Sequence, residues 1–216
     1  MAERKGETFI FKKPPVATAG AGVAGKTEGE GPLRSEFDYV LKEDMEKDNW
    51  ESAESAFHKK AVETVLKKSG KAESDIDVIL SGDLLNQCMS SSFSIKDMKI
   101  PFCGLYGACS TFALALGLSA VLVDSGCAEN TVCATSSHFC SAEKQFRQPL
   151  EYGGQRPPTA QRTVTGAGAL VVSGHGQGPR ITAFRLGKII DYGVTDENNM
   201  GAAMAPAAAD SKYNFL

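Results

Sequence analysis

The stretch GLYGACSTFALALGLSAVLVDSG, residues 104–126, carries the strongest fold signal in the sequence. The letters IPFC before it predict a short strand, and Gly104 and Gly107 allow the chain to turn sharply. From about Cys109 the side chains are apolar on nearly every side, which is typical of a helix buried at the centre of a protein. The closing letters DSG end that helix. The stretch therefore predicts a strand, a tight turn and a central buried helix.

Strands and helices alternate on both sides of this unit. Residues 48–70 predict an amphipathic helix that Asp48 or Asn49 caps and Gly70 ends. Residues 84–98 predict a further helix, and residues 14–32 a glycine-rich loop. Strands are predicted at TFIF (8–11), DIDVILSG (75–82), IPFCGLYG (100–107) and TVCATSS (131–137), with two more inside 163–193 joined by the turn GHGQG. The order β-α-β-α-β-α-β-β predicts a layered α/β fold with parallel crossovers, and an antiparallel hairpin of the last two strands at the sheet edge.

Composition narrows the class of protein. The 216 residues are 42% hydrophobic and 23% charged, which suits one globular domain, 1–216. The net charge is −3 and no basic stripe is present, which argues against nucleic acid as a partner. The start lacks the apolar run of a signal peptide, and the apolar run Phe112–Val123 is shorter than the roughly 20 residues that span a bilayer. We expect a chain made in the cytoplasm that can still dock onto a membrane complex.

Cysteines and histidines are few and scattered. None of the six cysteines forms a C-x-x-C pair, and the three histidines lack ligand spacing, so neither a disulfide framework nor a metal site is expected. Five of the cysteines are expected as small core side chains. Cys109 is the exception.

The octet GAGVAGKT, residues 20–27, matches the phosphate-loop template through Gly20, Gly25, Lys26 and Thr27. A phosphate loop needs a buried strand before it and a helix after it. Here two prolines precede the octet, and the letters EGEGPL that follow disfavour a helix and add acidic charge. We interpret the octet as a chance match and expect no nucleotide there.

Cys109 is the better candidate for chemistry. A thiol at the start of a helix lies near unpaired N–H groups and the positive end of the helix dipole. Its small neighbours allow a ligand to approach the backbone. This arrangement fits an activated nucleophile or an anion-binding pocket, and a structural cysteine is the alternative.

A nucleophile needs a base, and the sequence offers few. His138 follows a strand whose carboxyl end can face the Cys109 crevice, and a structural histidine is the favoured alternative. Ser136 and Ser137, at the same strand end, can donate hydrogen bonds to a carboxylate or merely cap the next segment. His58 is expected to be solvated on a charged helix, and His175 to lie far from this crevice.

Several blocks carry a resemblance to a known family: EGEGPL, WESAES, SGDLLNQ, GLYGACST, the long run 134–169 and NNMGAAMAPAAAD. Together they resemble the stage V sporulation protein AD family of spore-forming Gram-positive bacteria, which has the thiolase-like fold. The similarity extends from about Thr8 to Asp210. The resemblance implies one half of a layered α-β-α-β-α structure, with Cys109 at the position of the nucleophile in enzymes of this fold.

The same resemblance implies a function. Members of this family are implicated in moving dipicolinic acid (pyridine-2,6-dicarboxylate) into the developing spore, without a cofactor. The implied ligand-binding residues are Cys109, Ser110, Ser136, Ser137 and His138. The implied partners are dipicolinate, calcium with it, other membrane-associated stage V A proteins and a second copy in a homodimer. The implied location is the periphery of the inner membrane of the forespore.

Two points stay open at the level of sequence. The fold's second half, which supplies the catalytic histidines, is expected to be missing or truncated after about residue 210. The half that is present should expose apolar surface and not function by itself. A thiolase-like or ketoacyl-synthase-like acyltransferase using Cys109 is the alternative to a binding protein. A structural scaffold subunit whose pocket is vestigial is the third hypothesis.

Overall fold

Strands and helices alternate along the chain in the computed structural model, which describes residues 2–42, 45–146, 162–196 and 199–215. The strands are β1 (Glu3–Lys5), β2 (Thr8–Ile10), β3 (Val16–Ala24), β4 (Tyr39–Val40), β5 (Val78–Gly82), β6 (Phe102–Gly104), β7 (Asn130–Ser137), β8 (Gly166–Ser173) and β9 (Ala183–Arg185). The helices are α1 (Lys26–Gly29), α2 (Trp50–Ser69), α3 (Met89–Ile95), α4 (Thr111–Ser125), α5 (Phe139–Phe146) and α6 (Met200–Tyr213). The predicted α/β class is confirmed.

The main sheet has six strands in the order β4-β3-β8-β7-β5-β6. Strands β5, β6 and β7 run parallel to one another, whereas β8 is antiparallel to both β3 and β7. The predicted edge hairpin is therefore wrong: β8 lies inside the sheet, and β9 pairs with β2 in a separate three-stranded sheet. The reason is that β8 buries Ala169, Val171 and Val172 on both of its faces, and only an interior strand can do so.

The segment expected as a glycine-rich loop also contains a strand. Residues Val16–Ala24 form β3, which pairs with β8 along its length. Pro14 and Pro15 precede the first residue of the strand, so they remove no hydrogen bond from it. Small residues suit its position, because a Cβ on Gly20 would lie 3.0 Å from Leu170 Cδ2.

Helices cover both faces of the sheet. On one face α2 and α3 pack over a core that includes Phe57, Ile79 and Val132. On the other face α4 packs over Leu80 and Cys133. Alternate residues of β7 thus enter opposite cores, which makes the chain a three-layer α-β-α unit.

The predicted helix α2 is confirmed together with its ends. Asn49 accepts a hydrogen bond from the Ser52 amide at 2.8 Å, and Gly70 ends the helix in the left-handed conformation with φ 68°.

The central helix α4 is buried on more than one side. Ala115 is buried in the core beneath the sheet, and Gly117 is buried beside Phe184 of β9. The segment Ala108–Ser125 has a mean hydropathy of 1.6, and by length and composition it is the one helix in the described ranges that is apolar enough to cross a membrane. Core helices of soluble proteins pass the same test, and 39% of this segment is buried inside the structure. Leu114 and Val121 form an apolar strip of α4 that is only half-buried, so the expectation of burial on nearly every side is confirmed only in part.

Candidate functional site

A pocket of about 680 Å³ opens where the parallel strands β5 and β7 end and α4 begins. The carboxyl ends of parallel strands are a usual place for ligand sites in α/β proteins. Its walls come from the end of β3, the segment after β5, the start of α4, the end of β7 and the segment leading into β8. The wall residues used below are Asp83, Cys109, Thr111, Phe112, Thr135, Ser136, Ser137, Arg162, Thr163 and Val164.

Cys109 lies at the start of α4, as predicted. A single 3₁₀ turn, Ala108–Ser110, joins the turn after β6 to the helix. Ala108 has φ 45°, a left-handed conformation that non-glycine residues rarely adopt and that is often found at functional sites. Thr111 fixes the turn, because its hydroxyl accepts from the Gly107 amide at 3.0 Å and donates to the Ala108 carbonyl at 2.8 Å. The Cys109 thiol is exposed.

Ser136 and Ser137 are in the pocket wall with Cys109, and each donates its hydroxyl hydrogen to another group of the protein. Ser137 donates to the Val164 carbonyl at 2.6 Å. Ser136 donates to Oε1 of Glu54 at 3.1 Å. Both oxygens still have lone pairs for a further contact.

Ser110 and His138, the other two predicted ligand-binding residues, are not among the wall residues. The Ser110 hydroxyl donates to the Gly107 carbonyl at 2.7 Å. The His138 side chain is fully buried, and its ring stacks on Trp50 with centroids 5.2 Å apart and meets the edge of Phe57. The imidazole thus packs against α2, and the structure does not bring it into the wall that holds Cys109.

His58 was expected to be solvated, and that expectation is wrong. It is fully buried on the inner face of α2. Its Nδ1 lies 2.7 Å from Ser94 Oγ and its Nε2 lies 2.6 Å from Ser81 Oγ, so both ring nitrogens are hydrogen-bonded to serine hydroxyls. Burial lowers the pKa of His58 to about 4, so the ring is neutral near pH 7.

The expectation for the cysteines was also wrong in part. Cys88 and Cys133 are buried as predicted, and burial raises the pKa of the Cys133 thiol to about 12. Cys103 and Cys127 are exposed, and Cys140 is half-buried.

Two charged wall residues were missed from sequence. Arg162 lies 4.2 Å over the Phe139 ring, and its Nη2 donates to Thr27 Oγ1 at 3.4 Å. Asp83 is buried directly after β5, and its carboxylate accepts from the Leu85 amide at 2.8 Å and from the amide and hydroxyl of Ser91 at 2.7 Å each. The position of Asp83 at a strand end was a usable signal, whereas nothing local in the sequence marks Arg162.

Glu54 is the third missed residue. Its side chain is fully buried, with Oε2 2.6 Å from the Ser141 hydroxyl in addition to the contact of Oε1 with Ser136. Burial raises the pKa of Glu54 to about 7, and the charge of Asp83 adds to the rise.

The octet at 20–27 adopts a geometry unlike a phosphate loop. Gly20 to Ala24 are extended and paired with β8, so this backbone does not curl around an anion. A helical turn does begin at Lys26, contrary to expectation, but α1 is only four residues long. Within the described ranges no group of three or more His, Cys, Asp or Glu side chains is placed to hold a metal ion.

Solved structures share this architecture. The chain superposes on a single-residue variant of OleA from Xanthomonas campestris with a TM-score of 0.58 and 12% identity, covering 95% of this chain and 73% of that one. It superposes on 3-oxoacyl-[acyl-carrier-protein] synthase III of Aquifex aeolicus VF5 with a TM-score of 0.50 and 15% identity, covering 74% and 53%. The fold is thiolase-like.

Sequence comparison gives the particular family within that class. The family model described as stage V sporulation protein AD (SpoVAD) matches residues 5–216. Stage V sporulation protein AD of Bacillus subtilis (strain 168) is 44% identical over 211 residues, which are 97% of this chain and 62% of that protein's length. The chain belongs to the stage V sporulation protein AD family, and the resemblance inferred from the sequence is confirmed.

Proposed function

We propose that the chain binds dipicolinate in the pocket beside Cys109 and assists its entry into the developing spore. The observation that carries this proposal is a wall that combines the Arg162 guanidinium with the Cys109 helix start and the hydroxyl groups of Thr135 and Ser136. A guanidinium binds a carboxylate through two parallel hydrogen bonds, and hydroxyl groups serve the second carboxylate. Apolar side chains such as Phe112 and Val164 complete a wall suited to an aromatic ring.

Asp83 sets a condition on the ligand. Its carboxylate lies in the same wall, where it disfavours a bare dianion. Leu85 and Ser91 donate three hydrogen bonds to this carboxylate and so reduce its effect on a ligand. The calcium chelate of dipicolinate carries no net charge and avoids the repulsion, so we propose the chelate as a form that the pocket accepts.

We propose a binding role without catalysis. In the described part of the chain no histidine lines the pocket, so Cys109 has no imidazole base beside it. An acyltransferase with Cys109 as nucleophile is the second candidate, because the thiol is exposed in the cleft and the fold is that of acyl-condensing enzymes. A scaffold whose pocket is vestigial is the third.

The surroundings of the site are part of the same proposal. The half-buried apolar face of α4 would pack against a second thiolase-like half, in a protein that pairs as a homodimer. The complex would lie at the periphery of the inner spore membrane with other stage V A proteins. The 216 residues alone are then expected to bind dipicolinate weakly, with a Kd on the order of 0.1–1 mM.

The test compares two ligands on the same chain. Dipicolinate, alone and with calcium, is titrated by NMR, with benzene-1,3-dicarboxylate as the control that lacks the ring nitrogen. Labelled acyl-CoA is offered separately, and mass spectrometry follows Cys109. Reversible dipicolinate binding without acylation supports the proposal. Acylation of Cys109 without dipicolinate binding supports the enzyme. If the chain neither binds dipicolinate nor is acylated, the scaffold is supported. Tight stoichiometric dipicolinate binding by the monomer would show that a second half is not needed.

A further inference from the structure

Glu54 connects the pocket wall to the helix layer behind it. The residue lies on the buried face of α2, and its two carboxyl oxygens contact hydroxyls on different elements. Oε1 is 3.1 Å from Ser136 Oγ at the end of β7, and Oε2 is 2.6 Å from Ser141 Oγ on α5. Ser136 is 7% exposed and belongs to the pocket wall, whereas Glu54 is 0% exposed. The carboxyl group is thus one hydrogen bond away from any ligand that contacts Ser136.

The charged groups around Glu54 do not neutralise it. Glu51, one turn earlier on α2, is paired with Lys144 of α5 at 2.7 Å, and its negative charge disfavours ionisation of Glu54. Asp83, from the segment after β5, acts in the same direction. Further titratable residues on these elements include His58 on α2, His138 before α5, and Cys140 and Glu143 on α5. Among the described residues no lysine or arginine is within ion-pair distance of the Glu54 carboxyl.

The protonation state of Glu54 decides what Ser136 offers to a ligand. An ionised carboxylate only accepts hydrogen bonds, so Ser136 must give it its hydrogen and presents lone pairs to the pocket. Those lone pairs repel the oxygen of an anion. A protonated carboxyl donates from Oε1 to Ser136 Oγ while Oε2 still accepts from Ser141. The Ser136 hydrogen is then free to point into the pocket.

We propose that Glu54 is a proton-linked positioning residue of this pocket: when an anion binds, Glu54 takes up one proton and Ser136 turns its hydroxyl hydrogen from Glu54 to the ligand. The proton comes from solvent, and no covalent bond of protein or ligand breaks. The inference rests on the proposed function, since it requires an anionic ligand beside Ser136. The raised pKa of Glu54, about 7, places this uptake in the neutral range.

The linkage has a measurable sign. The ligand's own carboxyl groups are ionised throughout pH 6–8.5. Above the pKa of Glu54 in the free protein, each pH unit should therefore weaken dipicolinate binding by up to about tenfold. Below that pKa, Glu54 is already protonated and the affinity becomes independent of pH.

The experiment measures the Kd of dipicolinate by NMR titration of the 216-residue chain between pH 6 and 8.5. The Glu54→Gln side chain donates to Ser136 and accepts from Ser141 at every pH, as the protonated acid does. We expect its Kd to stay within about twofold across the range and to match the wild-type value at pH 6. Glu63→Gln changes an exposed carboxylate on the same helix and should keep the wild-type profile.

A second variant keeps the test decisive if Glu54→Gln does not fold. Ser136→Ala retains Glu54 but removes the hydroxyl that relays its state, so weak binding should remain without the pH dependence. Two results would overturn the inference and leave the proposed function standing. The first is dipicolinate binding that is independent of pH in the wild type. The second is a pH dependence of the Kd that persists in Glu54→Gln or Ser136→Ala. Absence of dipicolinate binding at every pH would overturn the proposed function, and the inference with it.

Discussion

The carboxyl of Glu54 and the imidazole of His58 lie one helical turn apart on the buried face of α2, and each is hydrogen-bonded to two serine hydroxyls. Burial disfavours the charged form of both groups. It raises the pKa of Glu54 to about 7 and lowers the pKa of His58 to about 4, so both are neutral between these values. The two groups therefore have opposite effects on stability as the pH changes.

The first prediction concerns Glu54 and alkaline pH. Its folded pKa of about 7 exceeds the ordinary 4.5, so its contribution is fully present below pH 4.5 and is lost as the pH rises through 7. Relative to wild type, Glu54→Gln should gain about 2–3 kcal/mol in free energy of unfolding between pH 5 and pH 8. Urea unfolding at both pH values measures the gain, and Glu63→Gln is the control. An equal difference at both pH values would contradict the prediction.

The second prediction concerns His58 and acid. Its folded pKa of about 4 lies below the ordinary 6.5, so its contribution is present above pH 6.5 and is lost as the pH falls toward 4. Ser94→Ala removes the hydrogen-bond partner of the buried Nδ1 and should cost about 1–3 kcal/mol at pH 7. Ser92→Ala, at a half-buried serine on the same helix as Ser94, should stay within about 0.5 kcal/mol. Thermal unfolding distinguishes them, and equal costs for the two serines would argue against the buried pairing.

The third prediction concerns Cys109. Because its thiol is exposed in the cleft, Cys109→Ala should change the free energy of unfolding by less than about 0.5 kcal/mol while weakening dipicolinate binding. Cys127→Ala replaces an exposed cysteine outside the pocket wall and should change neither. NMR titration of the two variants makes the comparison, and unchanged binding in Cys109→Ala would remove this residue from the site.

The fourth prediction concerns Arg162. Charged hydrogen bonds contribute about 1.5–3 kcal/mol, so Arg162→Gln should weaken dipicolinate binding by about 10- to 100-fold. Arg180→Gln, a change at an exposed arginine outside the wall, should leave it unaltered. Picolinate, which has one carboxylate, serves as the second ligand. If Arg162 binds one carboxylate and hydroxyl groups bind the other, Arg162→Gln should reduce the selectivity for dipicolinate over picolinate. An unchanged ratio of the two Kd values would count against this assignment.

The sequence predicted the parts of the fold whose signals are local. Helix α2 followed from its apolar periodicity, from Asn49 and from Gly70, and the strand-turn-helix unit at Cys109 followed from its glycines and apolar run. The position of β8 did not follow, because periodicity gives the faces of a strand but not its neighbours. Strand β3 was missed because its alanines and glycines suit a loop equally well until Leu170 lies against Gly20.

The residues of the site were also predictable only in part. Cys109, Ser136 and Ser137 lie at element ends and could be placed in one crevice by the rule for parallel strands. His138 follows the same strand end but turns toward Trp50, and no sequence pattern reveals that direction. Arg162 and Glu54 reach the pocket region from distant parts of the chain. Their roles depend on tertiary contacts, which a single sequence does not contain.

The interior place of β8 has a consequence for synthesis on the ribosome. Strand β3 is made early, yet its full-length partner is β8, and β4 covers only two of its residues. Until Gly166–Ser173 has emerged, β3 has a bare edge and β7 lacks its antiparallel neighbour. We expect the nascent chain to stay without a complete sheet until this last insertion, which makes the interval before it the stage most exposed to aggregation.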